Sequence, residues 1–353
     1  MGGRSYSESG VDTDSAASAT GKLAKILAAT AAFRDGAGKP LVENGYYASA
    51  LRLNETLALG VCTDGVGSKL LVAERMGKFD TVGIDCVAMN VNDLICIGAE
   101  PICMVDYIAV ERLDDDVLEQ VAHGLVEGAR QASISIPGGE TAQLPDMIRG
   151  AEPGRGLDLV GTAVGLLPLD RVNCGRSVEP GDVVVGLRSS GLHSNGYTLA
   201  RKALPDLSVK SDELGCTIGE ALLEPTRIYV REAMAIWSSG IDVKAMLHIT
   251  GEGLLNLLRT AAPVGWTLDA LPEPHAIFHL IRQSGVEIAE MFRVFNMGVG
   301  FCIVVKEDDV SRVVELARAE GSEAHVIGRA VASPERTVEL TRYGLRGAGT
   351  SFA

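Results

Sequence analysis

Six short stretches combine residue types that suit phosphate and cation chemistry. In the first, Cys62-Thr63-Asp64-Gly65-Val66-Gly67-Ser68-Lys69, an apolar run delivers a carboxylate into a glycine turn followed by a lysine. Asp64 at a strand end is placed to hold Mg2+, Gly65 and Gly67 let the backbone approach a ligand, and Lys69 suits a phosphate. The spacing is not that of a Walker A loop. The plain alternative is a strand-turn-helix corner with a capping Asp. The second, Gly83 to Leu94, has helical spacing. Residues Asp85, Asn92 and Asp93 then span roughly 100° of one face of an otherwise apolar helix. Buried carboxylates are costly without a cation or donors, so this face needs a partner. Asp80 lies just upstream.

The third stretch, Pro137-Gly138-Gly139-Glu140-Thr141-Ala142, offers backbone amides to an anion and the Glu140 carboxylate to a metal, or is a simple turn. The fourth, Ser189 to Tyr197, sets His193, Ser194 and Asn195 between two glycines at an expected helix start, where phosphate is favoured. His193 suits acid–base work or an anion contact, although a lone His is more often structural. With no Asp partner assignable, a hydrolase triad has little support. The fifth, His248-Ile249-Thr250-Gly251-Glu252-Gly253, is another strand-to-helix turn, and the sixth, Asn296 to Phe301, enters a strand.

The elements that carry these stretches alternate. Lys22–Ala32 reads as a helix and 35–47 as a loop. Strands are expected over Leu57–Cys62, Ile102–Val110, Ile134–Ile136 and Leu157–Leu167, with helices over Ser68–Met76, Asp85–Ile97 and Asp114–Gln131. Leu167 to Arg171 reads as a junction, giving domains 1–168 and 169–353. Beyond it come strands Asp182–Leu187, Met246–Ile249 and Val299–Val305, and a last strand, Ala324–Ile327. Helices are expected over Thr198–Leu204, Pro225–Ser238, Gly253–Thr260 and Asp308–Glu320. The class is α/β; periodicity leaves a parallel doubly wound sheet and a split α+β arrangement equally open.

Composition narrows the partners. At ~150 residues per domain, 353 residues make two domains. Hydrophobic residues at 46% exclude a disordered chain, and a net charge of −14 argues against nucleic acid and anionic membranes. Glycine is in excess, 41 against an average of ~25, largely through these turns. The seven cysteines form no CxxC pair and read as reduced buried thiols of a cytoplasmic protein. No apolar run reaches the ~18 residues of a membrane span, and the first residues lack a signal-peptide core.

Taken together, TDGVGSK, GIDCVAMNVNDL, GAEP, GGETAQLPDM, SSGLHSNGYTLARK, PTRIYV, HITGEG and FNMGVGF closely resemble the phosphoribosylformylglycinamidine cyclo-ligase (aminoimidazole ribonucleotide synthetase) family, with Tyr6–Asp14 matching too. The resemblance runs from about Tyr6 to Gly328. Single motifs are shared with selenophosphate synthetase, thiamine-monophosphate kinase and formylglycinamidine ribonucleotide amidotransferase. The resemblance implies ATP-dependent ring closure of formylglycinamidine ribonucleotide to aminoimidazole ribonucleotide in purine biosynthesis. It implies an N-terminal ATP-binding domain whose sheet forms a barrel across a homodimer, followed by a C-terminal α/β domain. It makes Asp64 and Asp93 the main Mg2+–ATP residues, with Asp80 and Glu140 as further metal candidates, Lys69 on phosphate and Asp85 orienting substrate or metal. Gly138, Gly139, Thr141, His193, Ser194, Asn195 and Thr250 would hold ligand. A need for K+ and the general base are left open.

Two departures stand out. The family's glycine- and Phe-rich loop is replaced by Asp35-Gly36-Ala37-Gly38-Lys39-Pro40 and Asn44-Gly45-Tyr46-Tyr47, and HITGGG reads HITGEG, with Glu252 for Gly. Glu252 would repel a phosphate or add a metal ligand. Two other readings therefore stand beside the cyclo-ligase: a phosphoryl-transfer enzyme acting on another acyl or amide oxygen, and a catalytically silent nucleotide-binding paralogue.

Overall fold

The computed structural model describes residues 13–42 and 45–353; Tyr6–Asp12 of the N-terminal match and Asn44 of the altered loop fall outside them. Helix α1 (Thr13–Ala28) continues as a 3-10 turn to Phe33, starting earlier than the apolar spacing indicates. The first sheet contains β1 (Ser49–Arg52), β2 (Leu57–Gly65), β3 (Glu100–Val110), β4 (Gly139–Gln143) and β5 (Leu157–Pro168), in the order β1-β2-β5-β3-β4. Only β3 and β4 run parallel. Between β2 and β3 come α2 (Leu70–Met76) and α3 (Val82–Cys96), and α4 (Asp115–Ala132) follows β3. The Asp114 side chain caps α4 by accepting from the amides of Asp116 and Val117.

Strand β5 alternates strictly. Leu157, Leu159, Gly161, Ala163, Gly165 and Leu167 are buried, while the residues between them are half-buried. Helix α3 packs on the buried face and also meets the second half of the chain, so 14 of its 15 residues are buried. The exception is Asp93. Helices α3 and α4 cross at glycines. A Cβ on Gly83 would fall on the backbone of Gly124 and Leu125. Gly83→Ala is expected to cost about 3 kcal/mol through overpacking, seen as a lower urea midpoint with an unchanged m-value.

The second sheet has eight strands: β6 (Val183–Arg188), β9 (Ala245–His248), β10 (Val264–Leu268), β11 (Val299–Val305), β12 (Ala324–Ala332), β13 (Val338–Leu340), β14 (Leu345–Ala348) and β15 (Ser351–Phe352). Strands β7 (Lys210–Ser211) and β8 (Cys216–Thr217) form a separate hairpin. The order is β15-β14-β13-β10-β12-β6-β11-β9, antiparallel except for β10 with β13. The helices of this half are α5 (Tyr197–Ala203), α6 (Ile218–Leu222), α7 (Val230–Ser238), α8 (Ala276–Gln283), α9 (Ile288–Val294) and α10 (Val310–Ala319). Two mostly antiparallel sheets choose the split α+β arrangement over the doubly wound one.

Several spans differ from the sequence expectation. The helix expected from Pro225 starts at Val230, because side chains of α3 take the backbone groups of Thr226, Arg227 and Tyr229. The segment after Gly253 is a 3-10 helix to Arg259, not an α-helix. Residues 134–136 make a single bridge, Cys103 with Ser135. Residues 139–143 are an edge strand rather than a turn, and Ala324–Ala332 is followed by three more strands. Strands β1 and β10 and helices α8 and α9 are not foreseen.

Candidate functional site

Strand β2 ends where α3 crosses it, and Asn90 fixes that crossing. The Asn90 amide accepts from the Asp64 N–H at 2.9 Å and donates to the Asp64 carbonyl at 3.0 Å. The Asp64 carboxylate receives the Gly65 N–H at 2.7 Å. One turn further along α3, Asp93 Oδ1 lies 2.8 Å from Nδ1 of His248 at the end of β9, and the Cys62 thiol is 3.8 Å from Asp93 Oδ2. His248 is fully buried, whereas Asp93 keeps 14% of its side chain exposed. Burial, and then the charge of Asp93, push the Asp64 carboxyl up to about 6; the Gly65 amide, His248 and Arg259 oppose this.

That shift has a stability consequence. Folded Asp64 binds its proton more tightly than unfolded Asp64 does, so its contribution is present below about pH 4 and is lost as pH rises through about 6. Asp64→Asn is expected to be more stable than the parent at pH 7.5, with the gain gone at pH 3.5. Urea unfolding of the ligand-free protein at both pH values measures this.

Lys69 and Asp85 meet elsewhere, at the seam between the halves. Both are fully buried, with Nζ 2.9 and 2.8 Å from the two Asp85 oxygens. Nζ also donates to the carbonyls of His193 at 3.2 Å and Glu224 at 2.6 Å. Asp85 Oδ1 accepts from the Thr226 amide and hydroxyl at 2.7 and 2.6 Å. Asn92 donates to the Arg227 carbonyl and accepts from the Tyr229 amide. Desolvation lowers the Lys69 pKa against the opposing pull of Asp85.

The remaining expected residues scatter. His193 is buried with φ +65°, its Nε2 accepts from the Ser190 amide, and burial holds its pKa well below the usual value. Ser194 Oγ is 3.2 Å from Thr226 Oγ1, and Asn195 faces Gly251 beside Thr250. Asp80 is half-exposed, 4.0 Å from Lys78, at the opposite end of α3 from Asp93. The helix rise puts those ends roughly 16 Å apart. Gly138, Gly139, Glu140 and Thr141 lie on or beside edge strand β4. Register places Asp64, Gly161, Asp106 and Gly139 in one row across four strands, facing α3. Glu140 alternates to the other face, and its carboxylate accepts from the Thr141 amide.

Asp64 and Asp93 thus converge, and His248 joins them. Sequence reasoning named His248 only as part of a turn, and passed over Asp106, whose signal was a carboxylate inside an apolar strand. Among the described residues, no three His, Cys, Asp or Glu side chains form a metal-holding group. Two carboxylates nevertheless fit Mg2+, which is commonly held by one or two carboxylates plus substrate phosphates. The elevated Asp64 carboxyl fits a place where a cation relieves crowded negative charge.

Both halves of the chain carry domains of the AIR synthase related class. Residues 45–167 match the family described as "AIR synthase related protein, N-terminal domain", and 179–341 match its C-terminal domain. The chain belongs to the phosphoribosylformylglycinamidine cyclo-ligase family. Curated members from Methanobrevibacter smithii (44% identical, 95% of this chain and 96% of theirs) and Methanothermobacter thermautotrophicus (47%, 92% and 93%) match nearly end to end. Solved structures share the fold at lower identity. The HypE–HypF complex gives a TM-score of 0.62 at 18% identity, covering 86% of this chain and 92% of that one. T. maritima PurL complexed with ATP gives 0.56 at 14%, covering 83% and 44%.

Proposed function

We propose that this protein closes the imidazole ring of aminoimidazole ribonucleotide from formylglycinamidine ribonucleotide, converting ATP to ADP and phosphate. The observation that carries the reading is the near-full-length likeness to curated cyclo-ligases, at 44–47% identity. The formyl oxygen is a poor leaving group. Transfer of the γ-phosphoryl group makes it a phosphate; the amidine nitrogen then attacks that carbon, phosphate departs and a proton is released. Asp64 and Asp93 are the residues that would hold Mg2+, which would supply charge neutralisation at the nucleotide phosphates. His248 holds the Asp93 carboxylate in one orientation. Lys69 and Asp85 act as an internal pin that keeps the second half against α3. Ser194, Asn195 and Thr250, together on the other half, face the ribonucleotide. The test is purified protein with Mg-ATP and formylglycinamidine ribonucleotide, assayed for aminoimidazole ribonucleotide. No product and no substrate-stimulated ADP overturns the reading. ADP without imidazole favours a different acceptor, and nucleotide binding without turnover favours a silent paralogue.

The same reading includes a cytoplasmic homodimer. The face of the first sheet away from α3 carries Leu59, Val61, Val160, Val164 and Leu166, all half-exposed, with Val105 at 43% and Tyr107 at 39%. An apolar face of this kind, interrupted by the Thr63–Thr162 hydroxyl pair, favours a partner. A second copy of the same sheet supplies a complementary one. Val164→Asp is expected to sediment as a monomer where the parent sediments as a dimer; a parent that is monomeric at micromolar concentration excludes this. No described helix is long and apolar enough to cross a membrane.

A further inference from the structure

The Glu252 carboxylate is engaged by two neighbouring side chains of its own half. Its Oε2 accepts from Asn256 Nδ2 at 3.2 Å and from Arg259 Nη2 at 3.0 Å. Both partners have a second task. Asn256 is completely buried, and its Oδ1 accepts from the Thr250 amide at 2.7 Å and the Thr250 hydroxyl at 3.2 Å. The Arg259 guanidinium stacks 4.9 Å from the centroid of Tyr47, within the altered loop. The turn so held passes Gly251 against Asn195, where an added Cβ would stand 3.2 Å from the Asn195 side-chain oxygen.

A buried amide can sit in two flipped states. With Glu252 accepting from its nitrogen, Asn256 must turn its oxygen toward Thr250. Removing the acceptor leaves the Thr250 amide alone to hold that orientation, strands the buried Asn256 Nδ2 without its carboxylate partner, and frees Arg259 from one side of its stack. We propose that Glu252 is a positioning residue: through Asn256 it sets the Thr250–Gly253 turn, and through Arg259 it holds the Tyr47 segment. It thereby sets affinity for the ligand held by Thr250 and Asn195, which on the reading above is the ribonucleotide.

The test compares Glu252→Ala, Glu252→Gln, Arg259→Ala and the double variant Glu252→Ala/Arg259→Ala with the parent, once the parent is shown to form the imidazole product. A parent without product defeats the functional reading. The positioning role is then judged from the stability arm alone, because its geometry does not depend on turnover. Glu252→Ala is expected to raise KM for the ribonucleotide about tenfold, with kcat and KM for ATP within twofold of the parent. Glu252→Gln keeps an oxygen for Asn256 and Arg259 and is expected to restore most of the affinity. Glu252 and Arg259 are in direct contact, so unfolding midpoints should show that Glu252→Ala costs less in the Arg259→Ala background than alone. Additive stability effects, an unchanged ribonucleotide KM in Glu252→Ala, or equal losses in the Ala and Gln variants overturn the proposal.

Discussion

Asp93→Asn is expected to lower kcat/KM for Mg-ATP by about 100-fold or more, the scale seen when one preorganised electrostatic group of a site is removed. The geometry concentrates the effect there. Asp93 is the only unburied residue of α3, its Oδ1 is committed to His248, and its charge raises the Asp64 carboxyl. The substitution preserves shape, so circular dichroism and the oligomeric state should stay as in the parent. Losing the negative neighbour should also bring Asp64 down from about 6 toward the ordinary carboxylate range. Turnover equal to the parent's would take Asp93 out of the site.

Lys69→Ala should instead act on stability. Lys69 is the charge partner of a fully buried Asp85 and donates to carbonyls of two segments from the other half. Truncating one member of a buried pair leaves an uncompensated charge and costs about 3–5 kcal/mol. Urea unfolding should show that loss, and the variant should need ligand to remain folded at physiological temperature. The outcome also separates two roles. A lysine that contacts phosphate would leave stability near the parent's and raise KM for ATP, and that result would overturn the pin.

Long periodic elements were legible in the sequence. Strand β5, helix α4 with its Asp114 cap, and the apolar β11 lie within a residue or two of expectation, because their patterns coincide with local propensity. Pro225–Ser238 was misjudged for a nonlocal reason: its first residues bond to Asp85 and Asn92, which lie more than 130 positions earlier. Residues 253–259 look helical in composition, yet the turn fixed by Asn256 and Glu252 tightens them to 3-10 geometry.

The sequence by itself determined the family, since that resides in short ordered motifs. It also showed that one face of α3 bears Asp85, Asn92 and Asp93, because 3.6 residues per turn requires it. Only the tertiary structure separated those three residues. Asp85 and Asn92 meet backbone groups of the second half and become part of its attachment, while Asp93 meets His248 and stays open beside Asp64. A carboxylate's task depends on what stands opposite it and on how much water remains, and both are set by chain segments that are distant in sequence.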